Sequence, residues 1–342
     1  MKIVVDAMGG DYAPQLVIEG AIRAVKDYGA DIILVGDEAK IKNELLKHKA
    51  SRLNIDIQPA SEIIEMHEPA AVSVRKKRDS SIVKGINLIK EKKADAFVSA
   101  GNTGAVVCAA TIALRLLPGI ERPGISIIVP TPKGASFLID VGANINAKPI
   151  HLMHYAIMSN SYCHYILNKE NPTIGLLNVG EEETKGTDFI RDTFKLLEGS
   201  GLNFIGNVEG RDIFSGSCDI IICDGFVGNV VLKVAESLAE TIGTFLYREL
   251  KRNIITKAGV LLLKSGLKRF KKSLDYSEYG GAPLLGVDGV VIIGHGRSNA
   301  NAIKNAIRVA KEEVERKVND NIIESVSHAI SSISEEPAIK AD

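Results

Sequence analysis

Ala96-Phe97-Val98-Ser99-Ala100-Gly101-Asn102-Thr103-Gly104 passes from an apolar run into a glycine-rich loop, and a helix-length stretch continues it from Thr103 to Leu117. A short apolar run, then glycines, then a helical pattern reads as strand, loop and helix. The alternation recurs along the chain. Strands are expected at Ile3–Asp6, Ile32–Val35, Ile55–Gln58, Ala96–Ser99, Ile125–Val129, Phe137–Val141, Ile174–Asn178, Phe204–Ile205, Ile220–Cys223 and Val290–Ile293. Helix-length amphipathic stretches fall at Gln15–Tyr28, Ser80–Lys92, Thr103–Leu117, Ile150–Leu167, Thr187–Leu197, Val227–Arg252 and Asn299–Val318. Alternating strands and helices predict an α/β fold with βαβ units and a layered, mostly parallel sheet. A short Pro/Lys/Gly turn between Val129 and Phe137 reads as a hairpin, so the sheet is mixed.

Composition bounds the rest. The 342 residues carry 42 basic and 42 acidic side chains, so the overall field offers no reason to expect nucleic acid. The four cysteines form no CxxC pair and lie in apolar contexts, as reduced core residues do. Met1 to Asp6 turns into a strand at once, so no signal peptide is expected. The longest apolar run, Val106 to Leu117, is broken by Arg115 and falls short of the roughly 18 residues that a membrane span needs. One catalytic unit is expected over residues 1–330, with length enough for two interleaved lobes, and a flexible tail over 331–342.

Ligands of such sheets bind beyond the carboxyl ends of strands, and those ends carry unusual chemistry here. Asp6 leads to Met8-Gly9-Gly10-Asp11, and Ser99 to Gly101-Asn102-Thr103-Gly104. Asp140 leads to Gly142-Ala143-Asn144, and Asn178 to Gly180 and Glu181-Glu182-Glu183-Thr184-Lys185-Gly186. Asp224 leads to Gly225-Phe226-Val227-Gly228-Asn229, and Gly294 to His295-Gly296-Arg297-Ser298. Any one of these has a structural explanation, since turns need glycine. Six of them suggest a site on one sheet edge. The Ser99–Gly104 loop has neither GxGxxG nor GxxxxGK[ST] spacing, so it fits a small anion such as phosphate better than a nucleotide. Asn102 or Thr103 acting only as a helix cap is the competing explanation. Strand-end aspartates without a DxD or His/Asp cluster speak for loop-holding rather than metal, and no metal or cofactor is expected.

Together these loops closely resemble the PlsX-type phosphate acyltransferases of bacterial phospholipid synthesis. The matching segments are Asp6-Ala7-Met8-Gly9-Gly10-Asp11, Val98 to Ala105, Glu121-Arg122-Pro123, Asp140 to Asn144, Leu177 to Glu183 with Lys185-Gly186, Cys223 to Phe226 with Gly228-Asn229, and His295-Gly296, in order from Ile3 to about Val318. The resemblance implies an isocitrate/isopropylmalate dehydrogenase-like fold and a homodimer. It also implies transfer of a long-chain acyl group from acyl carrier protein to inorganic phosphate. The acyl phosphate would feed a membrane glycerol-3-phosphate acyltransferase, with the enzyme cytoplasmic and peripheral on the inner membrane face.

Within that expectation the residues suggest roles. The backbone of Gly101–Gly104 with Ser99, Asn102 and Thr103 would hold phosphate, with Asp6, Gly9, Gly10, Asp11 and Glu182 completing the substrate site. Lys185 would supply countercharge, and Asn144 and Asn229 would orient phosphate or the oxyanion. Asp140 and Asp224 would fix those partners, and His295 would protonate the leaving thiolate. A short-chain transferase using coenzyme A, a decarboxylating dehydrogenase and a non-enzymatic scaffold remain as alternatives.

Between Leu250 and Asp275 eight basic residues stand with no acidic one. Within this 251–274 segment Leu263, Leu267, Phe270 and Leu274 follow i, i+4, i+7, i+11, flanked by Lys264, Lys268, Arg269 and Lys271. A basic amphipathic helix reads as a contact for anionic lipid, for acyl carrier protein or for a dimer partner.

Overall fold

A computed structural model describes residues 1–50, 53–253, 256, 259–260, 262–267 and 280–335. The strands are β1 (Lys2–Asp6), β2 (Asp31–Gly36), β3 (Ile55–Pro59), β4 (Ala96–Ser99), β5 (Gly124–Thr131), β6 (Gly134–Ile139), β7 (Ile174–Leu177), β8 (Phe204–Val208), β9 (Ile220–Ile222), β10 (Ala282–Leu285) and β11 (Val290–Ile293). The helices are α1 (Gln15–Tyr28), α2 (Glu38–Lys47), α3 (Ala70–Lys76), α4 (Ser81–Lys90), α5 (Thr103–Leu114), α6 (Pro149–Tyr165), α7 (Asp188–Glu198), α8 (Gly225–Leu250), α9 (Ala300–Glu315) and α10 (Val318–Glu335).

These strands form one eleven-stranded sheet in the order β3-β2-β1-β4-β11-β10-β5-β6-β9-β7-β8. Most pairs are parallel, and β5 and β6 form the expected antiparallel hairpin. Central strands such as β4 and β9 are buried along their whole length, and they read as continuous apolar runs because helices cover both faces.

Alternate residues of each strand feed different cores. Ile3, Val5, Ala96 and Val98 pack under α1 and α9 in the first half. Phe137, Ile139, Ile220 and Ile222 pack under α6, α7 and α10 in the second. On the opposite face one cluster crosses both halves, from Val4 and Phe97 through Ile125 and Leu138 to Ile221. That shared core ties the halves together.

The expectation of six loops on one sheet edge is corrected here. Three antiparallel pairings, β11/β10, β10/β5 and β5/β6, separate the parallel halves. An odd number of reversals points the halves in opposite directions. The loops after β1, β4 and β11 therefore share one edge, and those after β6, β7 and β9 the other. Two of the three reversals involve β10, which the sequence reading missed. Four residues that include Pro283, between Gly280-Gly281 and Gly286, make a weak strand signal. At the carboxyl end α10 continues to Glu335, past the expected start of the tail, and 336–342 lie outside the described residues.

Candidate active site

At the first edge the three loops lock onto one another. The Asp6 carboxylate, wholly buried, accepts hydrogen bonds from Met8 N at 3.0 Å and from Ser99 Oγ at 2.7 Å. Ser99 Oγ in turn accepts from Gly101 N at 3.0 Å. Burial pushes the Asp6 carboxyl upward, against the pull of those donors. Gly9 allows the close approach: a Cβ there would lie 2.5 Å from Asp6 Oδ2 and 2.7 Å from Gly101 N. Asp11 N donates to Gly296 O at 2.8 Å, which adds the β11 loop beside Gly10. Asp6, Gly9, Gly10, Asp11, Ser99 and Gly101 thus build the scaffold of the site.

Asn102 spends both ends of its amide on the protein. Its Oδ1 caps α5 by accepting from Ala105 N at 3.0 Å, while Nδ2 donates to the carbonyls of Glu65, Met66 and Glu68 at 3.0–3.1 Å. The residue staples the 65–68 loop over the start of α5. Thr103 and Gly104 supply the first two N–H groups of the helix, which helical geometry leaves without intrahelical partners. They face a cavity.

The loops at the second edge are equally committed. Asp140, fully buried, accepts from the backbone N–H groups of Ile125, Gly142, Ala143 and Asn144 at 2.8–3.0 Å. Burial raises its carboxyl and those four bonds oppose the rise. Asn144 turns its amide inward, donating to Pro123 O at 2.6 Å and Tyr155 Oη at 2.7 Å. Asp224 caps α8, accepting from Phe226 N and Val227 N at 2.9 and 3.0 Å. These three residues shape the edge rather than offer free side chains.

α8 joins the two edges. It starts against Asp140, and Glu236, eleven residues after Gly225, stands about 16 Å along it at about 1.5 Å per residue. There Glu236 Oε2 lies 3.6 Å from His295 Nε2, on the β11 loop of the other half. One turn on, Arg297 meets Glu240 at 3.6 Å. Between α8 and the sheet lies a cavity of about 410 Å³, whose walls include Thr103, Gly104, Gly142, Asn229, Lys233, Glu236, His295 and Gly296. Its floor is apolar, from Ile125, Ile127, Val141 and Ile293 of the sheet side, and Leu232 of α8 and Met66 add to the apolar lining. The Lys233 ammonium stands 2.9 Å from Glu236. Burial works against charge on Glu236, but the nearby His295 imidazole and the hydrogen bond from Lys233 outweigh it and hold the carboxyl at about 2.

Of the residues singled out from sequence, Thr103, Gly104, Asn229 and His295 line this cavity. Lys185 and Glu182 are exposed on the loop after β7 and are not among its lining residues. In the basic segment, 262–267 are helical, with Leu263 60% exposed, Lys264 exposed and Leu267 half-buried. Lys268, Arg269, Phe270 and Lys271 lie outside the described residues. Sequence reasoning missed Lys233, Glu236 and Met66. The first two were within reach, because Asn229, Lys233, Glu236 and Glu240 recur at i, i+4, i+7, i+11 on one face of α8.

A mixed sheet of two opposed parallel halves, with a partly apolar cavity under a bridging helix, defines an α/β enzyme of the dehydrogenase and phosphotransacetylase architecture. The EutD phosphotransacetylase of Staphylococcus aureus aligns over 96% of this chain and 94% of its own, with a TM-score of 0.59 at 16% identity. The 4-hydroxythreonine-4-phosphate dehydrogenase of Klebsiella pneumoniae aligns over 92% and 99%, with a TM-score of 0.52 at 12% identity. At such identities the likeness is one of fold. The family model described as "Fatty acid synthesis protein" matches residues 1–321. Proteins named "Phosphate acyltransferase" from Geotalea uraniireducens and Dictyoglomus turgidum are 49% and 50% identical over 326 and 329 residues. Those matches cover 95% and 96% of this chain and 94% and 98% of theirs. The chain belongs to this family, the PlsX type, and is an acyltransferase.

Proposed function

We propose that this enzyme transfers a long-chain acyl group from acyl carrier protein to inorganic phosphate, releasing the carrier thiol and an acyl phosphate. The observation that carries this reading is the cavity under α8. An anion-friendly wall, made of the first turn of α5 and the Lys233 ammonium, stands there against an apolar floor. Phosphate suits the wall, and the first carbons of an acyl chain suit the floor. The name carried by the relatives supports phosphate as acceptor. Lys233 takes the countercharge role that the sequence had suggested for Lys185, because Lys233 lines the cavity.

The chemistry asks for placement above all. Phosphate is substantially dianionic at neutral pH and attacks the thioester carbonyl without a strong base. Orienting two reactants is worth roughly 7–11 kcal/mol in well-placed systems. One donor aimed at the tetrahedral oxyanion adds about 2.7–4 kcal/mol, and the Asn229 amide is a candidate for it. As the C–S bond breaks, the thiolate takes up the proton that phosphate brought, with His295 as carrier.

Other parts of the reading concern partners. Val230, Val234, Leu238, Ile242 and Phe245 form an exposed apolar stripe along α8, about half exposed each, which supports a homodimer. Exposed Leu262 and Leu263 beside Lys264 support contact with anionic lipid or with acidic acyl carrier protein. Among the described residues no helix is long and apolar enough to cross a membrane. Consumption of the product by a membrane glycerol-3-phosphate acyltransferase completes the proposal. Trapping with hydroxylamine tests it: beyond the direct attack of hydroxylamine on the thioester, palmitoyl hydroxamate and free thiol form from palmitoyl carrier protein only when both enzyme and phosphate are present. A hydroxamate formed only from acetyl coenzyme A would point to the short-chain reaction instead.

A further inference from the structure

Lys233 and Glu236 stand three residues apart on α8, a spacing that sets them side by side. Glu236 Oε2 lies 2.9 Å from Lys233 Nζ, and the same oxygen lies 3.6 Å from His295 Nε2 in the opposite half. His295 Nδ1 accepts from Arg297 N at 3.2 Å, so a neutral ring carries its proton on Nε2, toward Glu236. One carboxylate oxygen therefore faces an ammonium from its own helix and an imidazole from across the cavity. A lysine has a flexible four-carbon stem, and the Lys233 side chain is 57% exposed. Without a partner its charge would be spread over many positions, and binding would have to collect it.

We propose that Glu236 is a positioning residue: it fixes the Lys233 ammonium where phosphate binds. The inference rests on reading the cavity as the acyl-transfer site. It has an unusual consequence, because Glu236 is an anion placed beside an anion site. If it acted on phosphate only through its charge, removing that charge would strengthen phosphate binding. A positioning role predicts the opposite sign.

The test is phosphate-dependent thiol release from palmitoyl carrier protein by Glu236→Gln, Glu236→Asp, Lys233→Met and the Lys233→Met/Glu236→Gln double variant. Glu236→Gln is expected to raise the phosphate KM about tenfold while kcat changes less than threefold. Glu236→Asp, with its charge on a shorter stem, gives an intermediate KM. The double variant is no worse than Lys233→Met within about twofold, because Glu236 works through Lys233. A phosphate KM at or below the wild-type value in Glu236→Gln, or additive effects in the double variant, overturns the positioning role. Wild-type thiol release that ignores phosphate overturns the acyl-transfer reading itself, so the two failures are told apart.

Discussion

The Ser99 hydroxyl donates to the Asp6 carboxylate at 2.7 Å, across 93 positions of chain, and accepts from Gly101 N at 3.0 Å. Two adjacent parallel strands thereby share one buried relay that sets the glycine loop before α5.

Asp6→Ala leaves the Ser99 hydroxyl and the Met8 N–H buried without their acceptor. Each such orphan costs roughly 1–3 kcal/mol. Urea unfolding is therefore expected to show a loss of about 2–5 kcal/mol, with Ser99→Ala milder at about 1–2 kcal/mol. Equal stability of Asp6→Ala and wild type would contradict the relay.

Gly228 lets α8 sit directly on the second edge, since a Cβ there would come within 1.9 Å of Asp140 O. A backbone carbonyl held in that loop has nowhere to retreat. Gly228→Ala should cost at least about 1–3 kcal/mol and should lower kcat by displacing Asn229. Gly243, with nothing near its Cβ position, is the control, and alanine there should be neutral or slightly stabilising.

Glu313 of α9 is buried against Tyr162, whose hydroxyl donates to it at 3.1 Å. Burial pushes its carboxyl up to about 8, only partly offset by that bond. A raised carboxyl pKa means that the folded protein holds a proton that the unfolded chain has released. Stability from this group is complete below about 4.5 and is lost as pH rises through about 8. Thermal melts should fall over that window by an amount on the order of a few kcal/mol. Glu313→Gln should flatten the slope, and an unchanged slope would show that Glu313 is not its source.

Leu263→Glu places a charge on the exposed apolar side of the basic segment. Binding to anionic vesicles should weaken at least tenfold, since burial of a leucine is worth about 1.5–3 kcal/mol. Vesicle binding that survives the change would count against lipid contact. Loss of carrier-protein affinity on replacing Lys268, Arg269 and Lys271 with alanine, with vesicle binding intact, would assign the segment to the protein partner.

Much of this architecture is legible in residue order. Ala96–Ser99 and Ile220–Cys223 read as buried strands because their apolar runs are uninterrupted, and Gln15–Tyr28 keeps its bounds in the structure because Gly29 ends it in a left-handed conformation. The opposed halves are not legible. They depend on the number of antiparallel steps, and β10, with Pro283 and flanking glycines, hides two of the three. The site is legible in its loops but not in its division of labour. Asp6, Ser99, Asn102, Asp140 and Asn144 carry the polar groups that a ligand wants, yet the fold spends them on its own backbone. Lys233 and Glu236 look like the solvated face of a long helix until α8 is seen to cross the cavity.

Thiol release from palmitoyl carrier protein, followed against phosphate concentration in wild type and Lys233→Met, tests the central claim most directly. The account predicts saturable dependence on phosphate, with a KM at least tenfold higher in the variant, as expected for loss of a charged hydrogen bond worth about 1.5–3 kcal/mol. Release that does not depend on phosphate, or a Lys233→Met enzyme with the wild-type phosphate KM, would contradict it.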